Sequence, residues 1–207
     1  MLWVIIFVIV KSIQKSTGKL GLQKSEVLEQ KFDGGNRMER ILTMDEKNYP
    51  LDLEEIYRVA VRGIIFIDGK LLMIESNSGE LKLPGGGMDS GEDDYKALVR
   101  EVKEETGYDV MLETIKPFGE IEEKRLSLNE PKIFHQISRL YFCEVYPEKG
   151  QCAYTENEKK DGFQQVTYTL DEAIEKNRIL FEKEGKQPWN QREYKTLLLI
   201  REFLFQK

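Results

Sequence analysis

The sequence predicts an α+β fold, a β-sheet with helices against its faces, and three observations carry that expectation. Apolar residues alternate from Tyr57 to Glu75 with the two-residue period of strands, and start and stop signals bound helices at about 92–106, 170–184 and 191–205. The two kinds of segment are interleaved, with no internal repeat and no low-complexity linker, so one compact unit is expected. The 207 residues, 40% of them hydrophobic, suffice for one domain with a substantial core and additions at its ends.

The chain opens with continuously apolar residues from Met1 to Val10, then runs polar and irregular to residue 37. A membrane-spanning helix needs about 20 apolar residues, and a signal peptide wants a basic start and a small-residue cleavage site, so stable membrane insertion is not expected. The codons of Gly34-Gly35 can read GGAGG, a bacterial ribosome-binding sequence, two codons before Met38. The expectation is therefore that translation starts at Met38 and that 1–37 is upstream sequence. A weak membrane contact through Met1–Val10 is the rival. Residues 38–56 read as a lead-in segment and 57–207 as the domain.

From Tyr57 the run Arg58–Ile67 continues through Asp68-Gly69 into Lys70–Glu75, which predicts a hairpin because both turn residues tolerate positive φ. A loop, Leu83-Pro84-Gly85-Gly86-Gly87, follows, then a helix over about 92–106 stopped by Gly107 as a C-cap. Strands are expected at about 116–123, 134–146 and 163–168. The last two helices carry capping signals, Thr169 with Glu172 and Asn190 with Glu193, each pair three residues apart.

A net charge of −6 and a pI near 5.2 give no basic footprint for a nucleic-acid polymer, so a small anionic substrate would need metal to offset charge. Two cysteines, Cys143 and Cys152, are too few for a disulfide framework and are not spaced as a zinc site, which points to reduced thiols and a cytoplasmic protein. Cys143, inside a strand-like run, reads as a small core residue.

Chemistry concentrates in the helix over 92–106, where Glu101, Glu104 and Glu105 stand at i, i+3 and i+4 and share one face. Such a cluster repels itself without a counterion, and hard oxygen ligands suit Mg²⁺ or Mn²⁺. Leu98 and Val102 on the opposite face would hold the helix against a core. A glutamate-rich helix by itself is usually a solvated surface. Here, however, Gly86, Glu92, Arg100-Glu101, Glu104-Glu105 and Gly107 also fall at fixed spacings.

This segment resembles the Nudix box, G-x5-E-x7-R-E-U-x-E-E-x-G-U with U apolar, over Gly86 to Tyr108. By this chain's composition the fixed positions would match by accident with a chance on the order of 1 in 10⁵. Tyr108 stands where the family usually has an aliphatic residue and Leu81 where many members have Trp. The resemblance implies a Nudix-type α/β/α sandwich with a mixed sheet, and divalent-metal-dependent hydrolysis of a diphosphate in a nucleoside diphosphate joined to another group. It implies Gly85 (through its carbonyl), Glu101, Glu104 and Glu105 as metal ligands, with Glu105 the first choice of general base and Glu104 beside it. Gly86, Glu92, Arg100 and Gly107 then serve the structure of the box. The expected cofactor is Mg²⁺ or Mn²⁺, the partner a small nucleotide derivative, and a homodimer is compatible with the family.

Candidates outside the box are weaker. Arg62 could reach a substrate phosphate or simply lie on the polar side of its strand. Glu156 and Glu158, read as loop residues, are either a late-arriving ligand or base, or solvated charges. His135, the single histidine, reads as a packing or hydrogen-bonding residue rather than a catalytic one, and Tyr141, Phe142 and Phe163 either stack on a base or, as is usual for aromatics in strands, belong to the core. Family members acting on ADP-ribose or diadenosine polyphosphates tend to carry Pro or Tyr roughly 15 to 18 residues past the box. This chain has Glu123-Lys-Arg-Leu126 in that window, and Glu75-Ser76 where members acting on oxidised nucleotides often place an arginine. A nucleotide sensor without turnover is the alternative. An isoprenoid diphosphate isomerase would alter the box and add a catalytic cysteine near a matching motif, which this sequence lacks.

Overall fold

The computed structural model describes residues 38–184 and 188–205. Residues 1–37, with the expectations about their translation and membrane contact, lie outside the described residues. In chain order the elements are β1 (Arg40–Asp45), β2 (Glu55–Ile64), β3 (Phe66–Ile67), β4 (Lys70–Glu75), β5 (Leu81–Lys82), α1 (Asp94–Thr106), β6 (Tyr108–Val110), a 3-10 turn (Leu112–Thr114) and β7 (Lys116–Leu126). They continue with β8 (Ile133–Phe142), β9 (Val145–Lys149), α2 (Glu156–Lys160), β10 (Gln164–Tyr168), α3 (Leu170–Glu184) and α4 (Pro188–Phe205). Among the described residues no helix is long and apolar enough to cross a membrane.

The architecture is α+β, as the sequence predicts. One mixed sheet runs β1-β7-β8-β2, with β7 and β8 antiparallel and the outer pairs parallel. A second runs β10-β4-β3, with β5 on β4, and β6 pairs β9 separately. Strand β4 explains why two cores form. Leu71, Leu72, Met73 and Ile74 are all fully buried, because the strand is covered on both faces. Leu71 and Met73 join Ile64, Leu140, Leu197 and Ile200 in a core under α3 and α4. Leu72 joins Val61, Ile65, Leu98 and Val102 in a second core under α1.

The hairpin turn forms as expected, with Asp68 at φ 50° and Gly69 at φ 76°. Its first strand nevertheless breaks at Ile65, so that β2 joins the mixed sheet and only β3 pairs with β4. The 38–56 segment holds β1, which sequence patterning did not reveal. Thr169 and Glu172 do form a reciprocal capping pair: the Thr169 backbone N–H donates to the Glu172 carboxylate at 2.8 Å and Glu172 N–H to the Thr169 hydroxyl at 3.3 Å. The Asn190–Glu193 pair does not cap. Helix α4 begins earlier, at Pro188, a residue suited to a first turn. Glu193 is instead buried with Arg192, which binds it and Glu123 of β7, at 3.1 and 2.7 Å, and so ties the start of α4 to the sheet.

Candidate active site

The site is built where β2 has a free edge. The glycine loop runs antiparallel along it: Val61 N–H donates to Gly86 O at 2.9 Å, Gly63 N–H to Pro84 O at 2.8 Å and Met88 N–H to Val59 O at 3.0 Å. Side chains are excluded from this loop for different reasons. A Cβ on Gly85, at φ +138°, would stand 2.2 Å from the Val61 carbonyl oxygen, whereas one on Gly86 would stand 2.4 Å from the Glu101 carboxylate. The loop therefore brings its backbone within reach of the box helix.

Helix α1 starts with Asp93 accepting the Lys96 N–H and stops at Gly107, φ 76°, whose N–H donates to Lys103 O. Leu98 and Val102 are fully buried, each contributing about 1.5–3 kcal/mol, and this fixes which face carries the glutamates. Arg100 clamps the start of the box, with Nε and Nη2 on the two Glu92 carboxylate oxygens at 3.0 and 2.8 Å and Nη2 also on Gly87 O at 3.1 Å. That contact holds Glu92 below the ordinary carboxyl range. Glu92 and Arg100 thus meet at the start of the box, while Gly107 closes the far end of the helix.

The three remaining glutamates differ in environment. Glu101 is raised above the usual glutamate range, first by burial and then by Glu105 and Glu104 nearby, against the opposing Arg100 at 2.6 Å. Glu104 is the most open, with its side chain 43% exposed and Arg100 at 3.4 Å. Glu105 is 2% exposed, receives the Gly85 N–H at 2.7 Å and pairs with Lys82 Nζ at 2.7 Å. Among the described residues no three His, Cys, Asp or Glu side chains converge as metal ligands. The donor chemistry still fits a hard divalent cation, with three carboxylates on one helix face, although the Gly85 carbonyl beside them already accepts the Arg62 guanidinium. Arg100, Lys82 and Arg62 presently supply the positive charge there.

Several expectations change. Arg62 is not on a solvated face. It is buried, and its Nη1 donates to the Gly85 and Leu83 carbonyls, because β2 is covered on both sides. Glu156 and Glu158 lie not in a loop but in α2, where Glu158 closes a capping box with Thr155 and Glu156 pairs with Lys159 at 2.7 Å. Tyr141 and Phe142 pack inward, Tyr141 bonding Asp94 through its hydroxyl. Phe163 does not join the core, and lies under Lys82, whose Nζ is 4.1 Å from its ring centre. His135 bonds Glu55 and Glu122, at 2.6 and 2.8 Å, on the sheet face. Cys143 is buried, its thiol pushed up to about 12 by desolvation and by Glu144.

Lys82 and Arg58 were missed by sequence reasoning. Lys82 was legible as the cation two residues before Pro84-Gly85, and Arg58 as the partner of Arg62 on one face of β2. Beside Lys82 a cavity of about 680 Å³ opens, bordered by Phe163, Trp189, Asn77, Asn190 and Arg192.

Comparison with known proteins identifies the family. The NUDIX domain model matches residues 56–190. An ADP-ribose pyrophosphatase of Methanocaldococcus jannaschii is 46% identical over 67 residues, 30% of this chain and 38% of that protein. A putative ADP-ribose pyrophosphatase of Bacillus subtilis is 27% identical over 117 residues, 56% of this chain and 52% of that one. The chain thus spans about half or less of the length of these curated relatives. A crystal structure of an ADP compounds hydrolase is 25% identical, with a TM-score of 0.47, covering 71% of this chain and 72% of that one. With the family model covering most of the chain, box and loop included, this chain belongs to the Nudix family.

Proposed function

We propose that the protein hydrolyses the diphosphate bond of a nucleoside diphosphate joined to a further group, in the class of ADP-ribose, with Mg²⁺ or Mn²⁺ held by Glu101, Glu104, Glu105 and the Gly85 carbonyl. The observation that supports it most is the placement of these three glutamates on one face of a helix locked to the core, against the glycine loop. A bound divalent ion would polarise the phosphate and lower the pKa of an attacking water. Glu105, enclosed between Lys82 and Gly85 N–H, acts as ligand and anchor. Glu104, the most open of the three, accepts the proton of water in place of the enclosed Glu105. The cavity beside Lys82 receives the group beyond the diphosphate.

The test is a panel of ADP-ribose, other nucleotide sugars, dinucleotides, nucleoside triphosphates and coenzyme A with Mg²⁺ or Mn²⁺, following phosphate-bearing products. Turnover should vanish with chelator and return with metal. Glu104→Gln and Glu105→Gln should each lose kcat and weaken metal binding. Turnover indifferent to chelator and to both changes overturns the reading. The Lys82–Glu105 ion pair favours a second reading, a nucleotide sensor, because it occupies a carboxylate that hydrolysis needs. Tight nucleotide binding with no turnover selects it.

A further inference from the structure

We propose that Arg58 is a phosphate-binding residue of the site, its guanidinium taking non-bridging oxygens of a diphosphate beside the glycine loop. The inference rests on the reading that this site accepts a diphosphate, and extends it to a residue outside the box. Strand alternation places Arg58, Ala60 and Arg62 on one face of β2, and sheet register sets Arg58 opposite Gln136 of β8, which in turn faces Glu123 of β7. Every other arginine around this region has a partner. Arg100 binds Glu92, Arg192 binds Glu123 and Glu193, Arg125 binds Glu123, and Arg62 donates to loop carbonyls. Arg58 makes no hydrogen bond or ion pair among the described residues, although it is exposed to solvent.

Its position explains why that matters. A Cβ on Gly87 would stand 2.8 Å from Arg58 Nη2, so the guanidinium lies directly on the loop that carries Gly85 and Gly86. Neighbouring atoms, then Arg62 and Arg192, press its pKa below the ordinary arginine value against the opposing pull of Glu101 and Glu123. Arg62 adds a buried Nε with no partner. Glu101 is near enough to act on Arg58 electrostatically, so an anion held by Arg58 would sit next to the box carboxylates. A planar fork with free donors is matched by phosphate oxygens and poorly by a neutral group.

The experiment is calorimetric titration with methylenediphosphonate, a diphosphate that cannot be hydrolysed, in the presence of Mg²⁺. It compares wild type, Arg58→Gln, Arg58→Lys and, as a control distant from the loop, Arg178→Gln. Arg58→Gln should weaken binding at least tenfold, and Arg58→Lys by less, because an ammonium keeps charge without the fork. Melting temperatures should remain close to wild type. Unchanged affinity in Arg58→Gln overturns the proposal, as does an equal loss in Arg178→Gln or a wild type that does not bind the probe. Binding that depends on Arg58 in a protein that turns over no diphosphate substrate upholds this proposal and removes the hydrolase reading, so the two fail separately.

Discussion

Replacing Gly86 by alanine separates the chemistry of the site from its folding. The new Cβ would stand 2.4 Å from the Glu101 carboxylate, against an ordinary contact of 3.4 Å or more, so the carboxylate must retreat by about 1 Å. The obstacle is the end of a flexible side chain, and Gly86 does not have a positive φ, so the backbone can accept alanine. Lost freedom of the unfolded chain would add about 0.4–1 kcal/mol of stability, roughly what rearranging Glu101 removes. The melting temperature should thus stay within about 4 °C of wild type. A displacement of 1 Å at a reacting group costs about 10²-fold in rate, so kcat on the diphosphate substrate that the panel identifies should fall by about that factor. Products can be followed as phosphate released by a coupled phosphatase, with melting by circular dichroism. Gly85→Ala is the contrast: at φ +138° and against a backbone oxygen at 2.2 Å, it should destabilise the fold by about 2–4 kcal/mol. A Gly86→Ala enzyme with kcat within twofold of wild type would refute the idea that Glu101 must occupy its observed place.

Other consequences can be checked on the same protein. Glu92→Gln breaks a bidentate pair with Arg100 and should cost on the order of 1 kcal/mol at neutral pH. Because Arg100 holds the folded pKa of Glu92 below its ordinary 4.5, that contribution is full above 4.5 and lost as pH falls through the folded value. Wild type and variant should therefore converge in urea melts in acid, and a gap that widens there contradicts the assignment. Cys143, with its thiol near 12, carries thiolate at about 1 part in 10⁴ at pH 8, so iodoacetamide should label it only after unfolding, as read by mass spectrometry. Leu98→Ala, emptying a fully buried position between α1 and the sheet, should lower stability by about 2–5 kcal/mol, visible as a loss of roughly 5–15 °C in Tm.

The local elements were legible in the sequence because their signals are local. Asp68-Gly69 adopts the positive φ its residue types allow, Gly107 ends α1, and Thr169 pairs with Glu172 as their spacing suggests. Asn190 and Glu193 carry the same spacing and do something else. A buried ion network takes Glu193 through Arg192, and no local rule anticipates that Arg192 binds Glu123, 69 residues away on β7. Strand β1 was missed for a related reason: its pairing with β7 is parallel and long-range, and its burial pattern is weak.

The box at Gly86 to Tyr108 was fixed by sequence alone, since helical periodicity puts Glu101, Glu104 and Glu105 on one face wherever the helix lies. Only the tertiary structure decided how different those three carboxylates are. The glycine loop could lie against them because β2 has an unpaired edge that accepts its backbone, and Lys82 on β5 then encloses Glu105 while Glu104 stays open. Register across the sheet turned Arg62 inward onto that loop and left Arg58 without a partner. Desolvation and partner geometry depend on what the fold brings within a few ångströms, and sequence spacing along a single helix does not contain that information.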